Sequence, residues 1–178
     1  KACNLLCTHC YLLADNVQPT EQPDANLPDT ARSHETPNFN QVQCGSANAA
    51  DELDTEKALK VIDEIAELNP NLILILTGGE PLLREDLFDL SRYAAGKGMM
   101  VLLGTNACLI NDEMAKSLKD NGFSGIGISL DSVHPEIHDS IRGAKGSWEK
   151  AVEGMKACKR QGLEIQIQST VFKKNYDE

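Results

Sequence analysis

From Asp54 onward the sequence alternates between amphipathic and uniformly apolar stretches joined by a few residues, and this alternation narrows the fold more than any other feature. Asp54 predicts an N-cap, Glu56 suits the positive end of a helix dipole, and Ala58, Ile62, Ile65 and Leu68 form one stripe. Asn69-Pro70 stops that helix. The unbroken apolar run at 72–76 predicts a strand buried on both faces of a parallel sheet. The cycle repeats with a helix carrying Leu83, Leu87, Leu90 and Ala94, closed near Gly96-Lys97-Gly98, then a strand at 99–103. Asn111 or Asp112 caps a third helix with Met114 and Leu118, and Gly122 suits its C′ position. A strand follows at 126–130. Ser147 is the expected cap of a fourth helix with Ala151, Met155 and Cys158 inward; Gly162 closes it and a strand spans 164–171. The class is therefore parallel α/β, and both a barrel and an open sheet satisfy the pattern.

Polar clusters fall where successive strands end: Gly78-Gly79-Glu80-Pro81, then Thr105-Asn106, then Ser129-Leu130-Asp131. All three lie at carboxyl ends, the edge where α/β proteins build their sites. Ahead of them, Cys3, Cys7 and Cys10 stand in the spacing C-x3-C-x2-C. Three thiolates are one too few for a closed zinc site or a fully ligated four-iron cluster, so the fourth position is open or is filled from elsewhere.

Cys44 and His34 are candidates for that fourth position. Both sit in a proline-interrupted polar stretch, 15–53, which reads as a long loop insertion, with Pro19, Pro23, Pro28 and Pro37 excluding regular elements. The simpler reading of Cys44 is an incidental thiol in a solvated loop. Cys108 follows the second rim cluster without an assigned role, and Cys158 lies on an apolar stripe, as a buried structural thiol does. Six cysteines so placed do not suggest a disulfide scaffold and fit a reducing cytoplasm. A net charge of −10 opposes a nucleic-acid or anionic-membrane partner, and no apolar stretch approaches a membrane span.

The ordered set of motifs resembles the radical S-adenosylmethionine (SAM) superfamily. Cys3-x3-Cys7-x2-Cys10 with His9 and Tyr11 matches its cluster loop, Gly78-Gly79-Glu80-Pro81 its GGEP motif, and Thr105-Asn106 and Ser129-Leu130-Asp131 its later strand-end motifs. With Ile141-Arg142-Gly143 downstream, the wording is similar to the branch that modifies peptides and tetrapyrroles and often carries a C-terminal auxiliary-cluster (SPASM-type) region, above all to enzymes of d1-type haem and alternative haem biosynthesis. The pyrroloquinoline quinone and mycofactocin peptide maturases stand near by.

The resemblance implies a partial (β/α)6 TIM-like barrel over 1–178, truncated at both ends, with the first strand before Lys1 and the later units after Glu178. It assigns Cys3, Cys7 and Cys10 to three irons of a [4Fe-4S] cluster and the fourth iron to SAM, whose reductive cleavage gives a 5′-deoxyadenosyl radical that abstracts hydrogen from substrate. Around SAM it places Gly78, Gly79 and Glu80 at the methionine end, Thr105, Asn106, Ser129, Asp131 and Arg142 as polar contacts, and His9 by the adenine. A tetrapyrrole or peptide substrate and a reductase, ferredoxin or flavodoxin as electron donor are the implied partners. The rival reading is an iron-sulfur electron carrier or zinc-stabilised module, which needs a fourth protein ligand such as Cys44.

Overall fold

The structure is a computed structural model that describes residues 3–10 and 52–178. The 15–53 insertion, with Cys44 and His34, lies outside the described residues except at its last two positions. In chain order the elements are α1 (Thr55–Leu68), β1 (Ile73–Leu76), α2 (Leu87–Gly96), β2 (Met100–Thr105), α3 (Asp112–Asp120), β3 (Phe123–Ser129), α4 (Pro135–Arg142), α5 (Ser147–Arg160) and β4 (Glu164–Gln168).

The strands form one parallel four-stranded sheet in the order β1-β2-β3-β4, each pairing with the next in sequence. Consecutive order follows when every crossover helix returns the chain to the neighbouring position. Leu74, Leu76, Val101, Leu103, Ile126, Ile128 and Ile165 belong to one apolar core with Ile62, Leu90, Ala94, Leu118, Ala157 and Cys158 from the helices. Because side chains alternate along a strand, these residues all point to one face of the sheet, the face that the helices cover among the described residues. The other face carries Ile73 and Ile75, Leu102 and Gly104, Gly125 and Gly127, and Gln166 and Gln168. One-sided helix cover with sequential parallel strands is the arrangement of a barrel arc and not of a doubly wound sheet.

That geometry corrects the expected burial of β1 on both faces. Leu74 and Leu76 pack into the core, whereas Ile73 and Ile75 are 57% and 55% exposed on the concave face of the edge strand. Asp54 caps α1 as expected, its carboxylate accepting from Lys57 N, but Leu68 falls off the buried stripe. Leu83 belongs to a 3-10 turn (Pro81–Leu83) and not to α2. Asn111 is the cap of α3.

Between Asp131 and Ser147 the sequence reading has no helix, yet α4 forms there, opened by Pro135 and closed by Gly143 at φ +67°. Ser147 is the first residue of α5, not its cap. The cap function comes from Asp139 of α4, whose carboxylate accepts from Gly146 N, Ser147 Oγ and Trp148 N. A side chain from a different helix thus satisfies the free N–H groups that open α5.

Candidate active site

The cysteine loop lies across the carboxyl ends of the strands and is held there by the last turn of α4. Leu6 N donates to Arg142 O (3.1 Å) and Thr8 N to Ile141 O (2.9 Å), so carbonyls that a helix end leaves unpaired are taken by the loop. Gly143 makes this approach possible. A Cβ at that position would stand 2.3 Å from Leu6 O, closer than any contact allows. From the opposite side, Asn106 Nδ2 donates to Asn4 Oδ1 (2.7 Å), tying the loop to the end of β2. Asn4 is a site residue that the motifs do not name; a polar side chain buried next to Leu5 in the cluster loop is the signal that marks it.

Cys3, Cys7 and Cys10 line one cavity of about 180 Å³ together with His9, Thr77, Gly78, Gly79, Gly104, Thr105, Asn106, Ser129, Arg142 and Gln168. A larger cavity of about 450 Å³ runs along the open edge of β1 beside α1 and touches the site only from Thr77 to Glu80. It holds no cysteine, so the chemistry belongs to the smaller one. Among the described residues, no three His, Cys, Asp or Glu side chains are close enough to hold a single metal ion. The three thiols share one cavity.

The remaining donors fit such a group. Arg142 Nη1 stands 3.8 Å from Cys7 Sγ. Burial pushes the Cys7 thiol up, and the Arg142 guanidinium pulls it back toward the thiolate a cluster needs. His9 Nδ1 and Asn4 Nδ2 are buried in the loop without a hydrogen-bond partner among the described residues. Burial lowers the His9 pKa, Arg142 adding to the effect, and its ring packs on Phe172 at 5.1 Å.

The rim residues divide into those committed to the protein and those that are not. Glu80 is 2% exposed, and its carboxylate accepts from Thr105 Oγ1 (2.7 Å), Leu82 N (3.2 Å) and Asn106 N (2.9 Å). Burial raises its pKa, opposed by those three bonds. Thr105 and Asn106 also brace the turn after β2, accepting from Ala107 N and Cys108 N, where Ala107 takes a φ of 60°. Asp131 faces Arg142 at 2.7 Å (Oδ2 to Nε), with side chains 0% and 9% exposed. The N–H is not aimed at the oxygen, so this is charge pairing and not an in-line hydrogen bond. Asp131 Oδ1 accepts from Thr170 N, and its own N–H donates to His138 Nδ1.

Cys108 does not line the cysteine cavity; it reaches toward Ser147 O (3.7 Å), and burial pushes its thiol up to about 12. Cys158 is fully buried in the core, as its stripe predicts.

A parallel barrel arc bearing three cysteines over its strand ends defines a cofactor-dependent enzyme site at the carboxyl rim. The radical SAM superfamily model matches residues 1–178, and the chain belongs to that family. It is 34% identical over 175 residues to the Fe-coproporphyrin III synthase of Methanosarcina barkeri, covering 98% of this chain and 36% of that protein. To the AdoMet-dependent heme synthase of the same organism it is 37% identical over 145 residues, 79% of this chain and 41% of the other. The chain therefore spans somewhat more than a third of these relatives. The structure of anSMEcpe with bound AdoMet superimposes with a TM-score of 0.61 over 94% of this chain and 40% of that one, at 23% identity, and shows the shared fold. The cofactors are those of the family, a [4Fe-4S] cluster and SAM. No helix among the described residues is long and apolar enough to cross a membrane.

Proposed function

We propose that the protein of which this chain is the core cleaves SAM reductively and uses the resulting radical on a tetrapyrrole. The observation that carries the reading is the common cavity of Cys3, Cys7 and Cys10 at the strand-end rim, lined also by the Gly78-Gly79 turn and Arg142. When bound, the cluster supplies the electron that breaks a sulfonium S–C bond of SAM, yielding a 5′-deoxyadenosyl radical that takes hydrogen from the substrate.

The chain's own residues hold and shield that chemistry. The α4 carbonyls and Asn106 fix the cysteine loop. Glu80 locks the Gly78-Gly79 turn to β2, so that backbone groups at the turn can receive the ammonium of SAM at its methionine end. Arg142 offers positive charge beside Cys7, suited to the carboxylate of SAM as well as to the thiolate. A tetrapyrrole is favoured over a peptide by the relatives at 34% and 37% identity, whose names are of porphyrin and heme synthases. An external reductase, ferredoxin or flavodoxin supplies the electron.

Anaerobic reconstitution of the full-length protein with iron and sulfide, followed by detection of 5′-deoxyadenosine from SAM and a strong reductant, tests the reaction. Product in the parent and none with Cys7→Ala supports it. A well-formed cluster that yields no product defeats it in favour of an electron carrier. Hydrogen transfer into 5′-deoxyadenosine from a labelled iron-porphyrin and not from a labelled peptide tests the substrate class.

A further inference from the structure

Cys7 is pinned on both sides by the end of α4. Leu6, the residue before it, donates its N–H to Arg142 O, and Thr8, the residue after it, donates to Ile141 O. The side chain of the same arginine then returns to the cysteine between them, Arg142 Nη1 donating to Cys7 Sγ across 3.8 Å. One residue thus fixes the loop through its carbonyl and places a cation on the sulfur through its guanidinium.

The guanidinium is engaged on a second edge. Its Nε faces Asp131 Oδ2 at 2.7 Å, and both side chains are buried, so water screens their charges little. Asp131 is itself held from three directions. Its Oδ1 accepts from Thr170 N, its N–H donates to His138 Nδ1, and its carbonyl accepts from Asn175 Nδ2. The order carboxylate, guanidinium, thiol is therefore built into the rim by residues of β3, α4 and the segment after β4. Holding the loop needs only the backbone bonds. A buried charge pair aimed at one sulfur does something more.

Reduction of an iron-sulfur cluster adds one electron to the iron and sulfur atoms, and hydrogen bonds and cations at the sulfurs favour the added charge. Arg142 works in that direction. Asp131 draws on the same cation and adds a negative charge behind it, so it works against reduction.

We infer that the Asp131–Arg142 pair sets the reduction potential of the cluster held by Cys3, Cys7 and Cys10, Arg142 raising it through the Cys7 sulfur and Asp131 tempering the rise. Arg142 is the contact and Asp131 its positioning residue. The step is transfer of one electron from the external donor to the oxidised cluster, with no bond made or broken. The inference rests on the cluster part of the proposed function and not on its substrate.

The test is a potentiometric titration of the reconstituted full-length protein, followed by the electron paramagnetic resonance signal of the reduced cluster. SAM is left out, so that a bond from Arg142 to its carboxylate does not enter. Arg142→Met is expected to make reduction about tenfold less favourable, about 59 mV for one electron. Asp131→Asn is expected to shift it the opposite way, by about threefold, because the carboxylate stands behind the cation. The double variant is expected to fall by no more than Arg142→Met. Opposite signs are the signature of charge, since a merely structural disturbance moves both single variants in one direction. Shifts of the same sign, or no shift in either, overturn the inference alone. Where the single variants fail to fold, the double variant decides, because it leaves neither charge buried without its partner. An unchanged or raised potential in it overturns the inference. A parent that assembles no cluster overturns the reading of the site and the inference with it.

Discussion

Gly143→Ala separates the cost of a backbone conformation from the cost of a collision. At φ +67° an alanine sits in the left-handed region, which costs about 1–2 kcal/mol. Its Cβ would also meet Leu6 O at 2.3 Å and Leu6 C at 2.9 Å, both backbone atoms that no rotamer change can move. Relief requires the cysteine loop to lift from α4, breaking the Leu6–Arg142 and Thr8–Ile141 bonds at about 1 kcal/mol each. The expected total is about 3–4 kcal/mol. Gly146→Ala is the control, because its φ is +80° while the nearest neighbour to its Cβ is a flexible Glu149 oxygen at 3.9 Å. It carries the conformational cost alone. Urea melts of the apo protein give the difference in stability, and iron and sulfide content after anaerobic reconstitution reports whether the loop still presents its thiols. The reasoning predicts that Gly143→Ala loses about 2 kcal/mol more than Gly146→Ala and takes up iron poorly. Equal destabilisation of the two variants, with full iron content in both, would refute it.

Glu80→Gln places an amide NH2 against a backbone N–H or a hydroxyl that now donate to the carboxylate, so urea melts should show a loss of about 1–3 kcal/mol. Asp131→Asn leaves the buried Arg142 cation without its counter-charge, and a loss of about 3–5 kcal/mol is expected, much of it recovered when Arg142→Met is added. His138 is buried and accepts from Asp131 N through Nδ1, and burial holds its pKa below the ordinary 6.5. The folded state thus stays neutral where the unfolded chain takes a proton. Its contribution is present above pH 6.5 and is lost as pH falls through the folded value. Thermal melts from pH 7 downward should show the parent losing stability more steeply than His138→Asn, whose side-chain oxygen can accept without titrating.

The strands were legible because each has an apolar face that must meet the helices: 99–103 and 126–130 anticipate β2 and β3 to within three residues at either end. The rim motifs were legible because glycine, carboxylate and amide residues break those runs at one edge. What the residues alone do not reveal is partnership. Ile73 and Ile75 are as apolar as Leu74 and Leu76, and only the one-sided helix cover decides which pair is left open. Ser147 has the side chain of a cap, but Asp139, eight residues earlier, accepts from its hydroxyl and from the N–H groups at the start of α5. The helix α4 was missed because it is short, although Pro135 before it and Gly143 after it mark its ends. The resemblance places Glu80 and Asp131 around SAM; the hydrogen bonds each also makes within the protein, Glu80 to the end of β2 and Asp131 to Thr170, are partnerships no motif reveals.

The contacts that seat the cysteine loop span 133 residues from Thr8 to Ile141 and 135 from Cys7 to Arg142. During synthesis at roughly 5–20 residues per second, the three thiols leave the ribosome roughly 7–27 seconds before the helix that receives them. Until then the loop has no anchor among the described residues beyond the Asn4–Asn106 bond, and its cysteines are open to stray metals and oxidants. Maturation of the iron centre is thus a late event in the life of the chain, timed by the translation of α4.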